Sequence, residues 1–161
     1  MACSGATTAD VLSSQVPALS ASTTLVSITI GGNDAGFSTV METCVLAPTS
    51  VCLSAVAAAE AYVAGELPAR LEATLQTIRA DAPAAKILVL GYPDLYDLSE
   101  SSSCIGLSTA DRTALNQGAG DLDSALATAA AAQGDTFAVV APEHAAETNE
   151  AGELASAHCS G

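Results

Sequence analysis

Thr24-Leu-Val-Ser-Ile-Thr-Ile30 runs directly into Gly31-Gly32-Asn33-Asp34, and the reading of this junction decides the fold. A stretch without charge or proline, rich in β-branched side chains, predicts a buried strand. The two glycines end it and permit a sharp turn with positive φ, which sets Asn33 and Asp34 at the strand's carboxyl end. In open α/β sheets ligands bind at that end. Without further context, Gly-Gly-Asn-Asp reads equally well as turn punctuation.

Outward from the junction, strand and helix signals alternate. Upstream, Thr7 or Thr8 can cap a short helix that reaches Leu12 to Gln15 before Pro17 interrupts it. Downstream, Gly36 to Cys44 reads as loop and short helix. Ala47-Pro48-Thr49-Ser50 reads as a turn able to bring Cys44 and Cys52 together. A helix is predicted over 53–80, broken where Gly65 and Pro68 fall, with Leu67, Leu71, Leu75 and Ile78 lining its core face. Lys86 to Leu90 is a second buried strand, ended by Gly91-Tyr92-Pro93. Ser108, with Asp111 three residues on, is a capping-box start for a helix whose buried face is Leu115, Ala119, Leu122 and Leu126. Gly118 and Gly120 are expected to weaken that helix. Thr136 to Val140 is a third strand, and the chain from Ala141 reads as loop. Helices between successive buried strands give right-handed βαβ units and a parallel sheet.

The length of 161 residues suits one domain with a real core. Half the residues are hydrophobic, but alanine supplies much of that share and aromatics only 3 %, so packing rests on small and aliphatic side chains. No run approaches the roughly 18 uninterrupted apolar residues of a membrane span. The mean hydropathy of +0.40 therefore reflects alanine-rich helices, and an integral membrane protein is not expected. A net charge of −14, from 18 acidic against 4 basic residues, opposes both nucleic-acid phosphates and an anionic membrane surface. No basic, apolar leader opens the chain. Five cysteines suit an oxidising compartment. None has a zinc-type C-x-x-C spacing and the chain has only two histidines, so no structural metal site is expected.

Leu25 to Phe37, centred on Ile30-Gly31-Gly32-Asn33-Asp34, resembles the third conserved block of the SGNH (GDSL-type) ester hydrolases. Ala2-Cys3-Ser4-Gly5-Ala6-Thr7-Thr8 resembles the second block of that family's secreted bacterial lipase and phospholipase branch, and Val89-Leu90-Gly91-Tyr92-Pro93 resembles a later strand and turn. The three stretches keep the family's order. The resemblance implies a three-layer α/β/α sandwich, flavodoxin-like, with a parallel sheet in the order 2-1-3-4-5. The central first strand is not visible in this chain, so Thr24 to Ile30 would present an apolar edge open to self-association. The resemblance also implies secretion, no cofactor, a Cys44–Cys52 bridge and a Cys104–Cys159 bridge. Cys3 is left over, its family partner lying upstream of the second block. The expectation is a single partial domain over 1–161, cut at both ends.

Ester hydrolysis needs a nucleophilic serine, a histidine to take its proton, an aspartate to orient the histidine and donors for the oxyanion. By the resemblance, Gly5 and Asn33 match two oxyanion donors, a backbone N–H free of side-chain obstruction and a neutral side-chain amide. The family's Gly-Asp-Ser nucleophile block and its Asp-x-x-His block do not occur in the sequence. Ala141 and Ala155 stand three residues before His144 and His158, so neither histidine is assigned as base. Ser4 lies in an exposed turn, but nothing in the sequence sets a base beside it. Asp34 reads as a cap for the helix or loop that follows, and Tyr92 as packing after a strand.

Two readings follow. In the first, the chain is the oxyanion half of a secreted esterase or lipase acting on ester or acyl-lipid substrates, inactive alone for want of a nucleophile. In the second, it is a non-catalytic binding module, or one whose sheet is completed by a partner chain. A nucleotide-binding domain is disfavoured, because no Gly-rich phosphate loop precedes a helix.

Overall fold

The computed structural model describes residues 3–98 and 106–140. Helix α1 (Thr8–Asp10) opens on a reciprocal cap. The Thr7 hydroxyl accepts from the Asp10 N–H at 3.3 Å, and the Asp10 carboxylate accepts from the Thr7 N–H at 2.9 Å. The coil continues through a wide turn at Val11–Gln15 into a tight turn at Val16–Ala18. Pro17 does not interrupt it. It sits at the start of that last turn, where a missing N–H leaves no hydrogen bond unmade.

Strand β1 (Leu25–Ile28) leads to α2 (Phe37–Leu46), α3 (Thr49–Gly65), α4 (Leu67–Asp81), β2 (Lys86–Leu90), α5 (Thr109–Gln133) and β3 (Thr136–Ala138). The sheet is parallel throughout, in the order β1-β2-β3, with Leu25 opposite Lys86 and Leu88 opposite Thr136. These strands are adjacent as the last three of the order 2-1-3-4-5 would be. Strand β1 is shorter than Thr24–Ile30 and is not buried, since Leu25 is 60 % exposed. Among the described residues it pairs with β2 alone, so one edge is open. Strand β2 is the buried one, with Ile87 and Val89 almost inaccessible.

The core forms where the expected stripe of α4 meets β2 and α5. Leu67, Leu71, Leu75 and Ile78 pack with Ile87, Val89, Leu122 and Leu126. The break between α3 and α4 falls at Glu66, between Gly65 and Pro68, and bends the pair by 50°. Among the described residues no single helix is long and apolar enough to cross a membrane. Helix α3 starts earlier than expected because Pro48, at φ −60° and ψ 150°, serves as its N-cap residue, which leaves Thr49 and Ser50 inside the helix. The Cys44–Cys52 disulfide closes this α2–α3 hairpin, and with Val56, Tyr96 and Leu115 it forms a second small core. Cys104 and Cys159 lie outside the described residues.

Helix α5 opens as its sequence predicts. Ser108 caps Asp111, whose carboxylate accepts from the Ser108 N–H at 2.9 Å, and Leu115, Ala119, Leu122 and Leu126 are all buried. It continues past both glycines to Gly134, which ends it in the left-handed conformation at φ +69°. One long-range tie closes the layer: the Arg79 guanidinium on α4 donates to the Ala85 carbonyl just before β2 and to Asp135 just before β3.

Candidate functional site

The site is built where β1 and β2 end side by side. Gly31 turns the chain at φ +108°, and a Cβ there would lie 3.2 Å from Leu67 Cδ2. The positive φ demands glycine, and a side chain there would also have to displace Leu67 slightly. Hydrogen bonds from Ala35 N–H to Gly31 O and from Phe37 N–H to Gly32 O, each 3.0 Å, then coil residues 31–37 into a compact turn. Tyr92, two residues past the end of β2, ties the two strand ends together. Its hydroxyl accepts the Gly32 N–H at 3.0 Å, while its own N–H donates to Asp123 Oδ1 at 2.7 Å. Burial pushes the Tyr92 phenol pKa up, opposed by the Gly32 hydrogen bond. Burial also raises the Asp123 carboxyl, an effect opposed by the Tyr92 N–H and reinforced by Asp94. The role of Tyr92 thus extends beyond packing, because its oxygen fixes the turn.

A second set of bonds docks the N-terminal segment on this turn. Asn33 Nδ2 donates to the Ala6 carbonyl at 3.0 Å. The Asp34 carboxylate accepts from the Thr8 N–H at 2.9 Å and from the Thr8 hydroxyl at 2.6 Å. Asp34 is therefore a cap, but for α1 and not for the helix that follows; α2 has Gly36 as its N-cap residue and no side-chain cap. Thr8 is 2 % exposed, so this carboxylate satisfies polar atoms that water does not reach.

The two sequence-derived donor candidates consequently share one neighbourhood. Gly5 lies in an exposed turn at φ +78°, with nothing within 4 Å of where a Cβ would point, and the next residue, Ala6, is the one Asn33 holds. The second amide hydrogen of Asn33 has no partner among the described residues, and its side chain is exposed. Ser4 and Cys3 are exposed in the same turn, and Cys3 is a free thiol. His144 and His158 lie outside the described residues. Among the described residues no three His, Cys, Asp or Glu side chains gather as a metal would require.

Beside the turn runs an apolar groove of about 50 Å³, lined by Phe37 and Val40 of α2, Val56 and Val63 of α3, Tyr92, and Leu115 of α5. Leu95 also lines it and is held in place by Asn116, whose Oδ1 accepts the Leu95 and Tyr96 N–H groups at 3.0 Å. Glu60 stands at its rim with its pKa raised, chiefly by desolvation and further by Asp121. Sequence reasoning named Thr8 as a possible cap but missed its bonds to Asp34, and it missed Asp123 and the groove. Only the cap had a visible signal, the Thr7…Asp10 spacing, which repeats the Ser108…Asp111 pattern.

The model of the GDSL-like lipase/acylhydrolase family matches residues 1–159. The chain is 53 % identical over 136 residues to Lipase 1 of Streptomyces coelicolor and 48 % identical over 136 residues to a lipase of Streptomyces rimosus. Each match covers 84 % of this chain and 50 % of the relative, so the chain spans about half the length of the curated relatives it matches. The structure superposes on phospholipase A1 from Streptomyces albidoflavus with a TM-score of 0.82 and 47 % identity, over 85 % of this chain and 58 % of that one. On the extracellular lipase of Streptomyces rimosus the TM-score is 0.85 and the identity 46 %, over 89 % and 61 % of the two chains. The shared fold is the three-layer α/β/α sandwich on a parallel sheet that the sequence led us to expect. By sequence and by fold alike, the chain belongs to the GDSL-like lipase/acylhydrolase family.

Proposed function

We propose that these 161 residues form one partial domain of a secreted carboxylic ester hydrolase, and that Gly5 and Asn33 supply oxyanion donors for acyl-lipid substrates. The observation that carries this reading is the Asn33 amide, anchored by one hydrogen on Ala6 and keeping the other for a ligand, one residue from the open Gly5 turn. A donor held in advance at a developing negative charge is worth about 10²–10³ in kcat. The groove beside the turn, apolar and about 50 Å³, suits the first few carbons of an acyl group, and the disulfide suits an oxidising compartment. The names of the relatives, lipase and phospholipase A1, support the substrate class.

The 161 residues contain no Gly-Asp-Ser, so the chain alone is expected to be inactive. A fluorophosphonate serine probe, read by intact mass on the folded chain, tests this. No labelling is expected; a labelled serine would reveal a nucleophile within the chain, with Ser4 the first position to map. In a longer protein that hydrolyses esters, Asn33→Ala should lower kcat by about 10²–10³ with little change in KM, and an unchanged kcat would remove Asn33 from the oxyanion site.

The open edge of β1 favours a second reading, a module that completes its sheet with another chain or a second copy. Sedimentation velocity across a concentration series should then show association if a second copy completes the sheet, and a monomer at all concentrations would dismiss that form of it.

A further inference from the structure

The tip of the α2–α3 hairpin carries a surface that the oxyanion reading does not use. Val45, Leu46, Val51 and Leu53 are 52 %, 76 %, 47 % and 39 % exposed, although large aliphatic side chains normally favour burial. Their neighbours show that this is not an unfilled core. Cys44, Cys52 and Val56 on the inward face of the same hairpin are at most 4 % exposed. The disulfide holds the two helices with Cα atoms 4.3 Å apart at the tip, so the outward residues form a fixed patch.

We propose that this tip is a lipid-surface contact, one that seats the molecule on an electrically neutral, zwitterionic interface. Three observations select that occupant. First, the patch lies on the same two helices whose Phe37, Val40 and Val56 line the groove, so the helices that meet the lipid also wall the site that would take an acyl group. Second, residues 37–59 contain a single acidic side chain, Glu42, and no basic one, in a chain of net charge −14. The net acidic molecule is repelled by anionic surfaces, and this face, nearly free of charge, approaches a neutral lipid surface without that cost. Third, the exposed large side chains of the tip, Val45, Leu46, Val51 and Leu53, are all aliphatic and suit acyl tails. The choice of a lipid surface rests on the acyl-lipid reading above, but binding can be measured without turnover.

The chain contains no tryptophan, so Leu46→Trp introduces a single indole reporter at the tip. With the full 161-residue chain and phosphatidylcholine vesicles, its emission should shift to the blue, and the protein should sediment with the vesicles more strongly than with phosphatidylglycerol ones. The double variant Leu46→Glu with Val51→Glu should lose about tenfold or more in partitioning. Gln76→Glu with Ala80→Glu, which adds the same charge at exposed positions on α4, should retain it. Equal partitioning of the tip variant and the parent would overturn the proposal, as would an indole emission unchanged by bound vesicles. A dimer abolished by Leu46→Glu, with vesicles left unbound, would also overturn it and assign the tip to a second copy. The two readings fail separately: loss of vesicle binding overturns this inference whatever the serine probe shows, and an unchanged kcat in Asn33→Ala of a longer protein removes the oxyanion reading whatever the vesicles show.

Discussion

Gly32 has no room for a side chain because Tyr92 already occupies the space. A Cβ there would lie 2.9 Å from the phenol oxygen that accepts the Gly32 N–H. Tyr92→Phe keeps the ring and removes the acceptor, leaving a buried N–H without a partner. The expected loss is about 1–3 kcal/mol, read from the urea midpoint at constant slope. Asp123, on the other side of Tyr92, makes a pH-dependent case. Its folded-state pKa is raised, so between the unfolded and folded values the native state holds more protons than the unfolded one. Stability is then greatest below the ordinary carboxylate range and falls as pH rises through the folded value. Asp123→Asn keeps an oxygen for the Tyr92 N–H and removes the half-buried charge. Its Tm should exceed the parent's near pH 7 and approach it near about pH 3, where the parent carboxyl is protonated. A higher Tm at both pH values would point to packing instead of charge. Such roles were illegible in the sequence because the partners are remote: Gly32 is 60 residues from Tyr92, and Asp34 is 26 from Thr8. A carboxylate three residues before a helix looks like its cap, and only the fold reveals the more distant donor.

Elements whose cause is local were legible. The Ser108–Asp111 cap, the α4 stripe and the Gly65–Pro68 break each depend on residues within one or two turns, and each formed where expected. Strand β1 was misjudged in burial because its composition resembles a central strand while its outer edge is open. Helix α2 was only partly foreseen; its polar Ser38, Thr39, Glu42 and Thr43 obscure the apolar face that packs on the Cys44–Cys52 bridge. The two glycines of α5 reduce its intrinsic preference without breaking it, since buried leucines on the same helix hold it in place. A Cβ at Gly120 would meet nothing within 4 Å, and the φ there is helical. Gly120→Ala should therefore stabilise the chain by about 0.5–1 kcal/mol, measured by chemical denaturation; a loss would show that the backbone there needs glycine.

At the scale of the molecule, order of elements was readable and three-dimensional closure was not. The alternation of strand and helix fixed a parallel sheet, and the Gly31–Asp34 turn located the functional end of that sheet. The groove escaped notice because its walls come from α2, α3, α5 and the turn after β2, segments that no local pattern relates. The same holds for Arg79, which binds the residue before β2 and the residue before β3 from a third element. That contact has a kinetic consequence. A guanidinium joining two strand starts can close only after both strands have arrived, so it should form late, beyond the folding transition state. Arg79→Ala is then expected to raise the unfolding rate and leave the folding limb of the chevron nearly unchanged, whereas equal slowing of folding would place the contact in the nucleus. On this account Arg79 acts as a latch on the finished sheet, governing how long the native state lasts more than how fast it is reached.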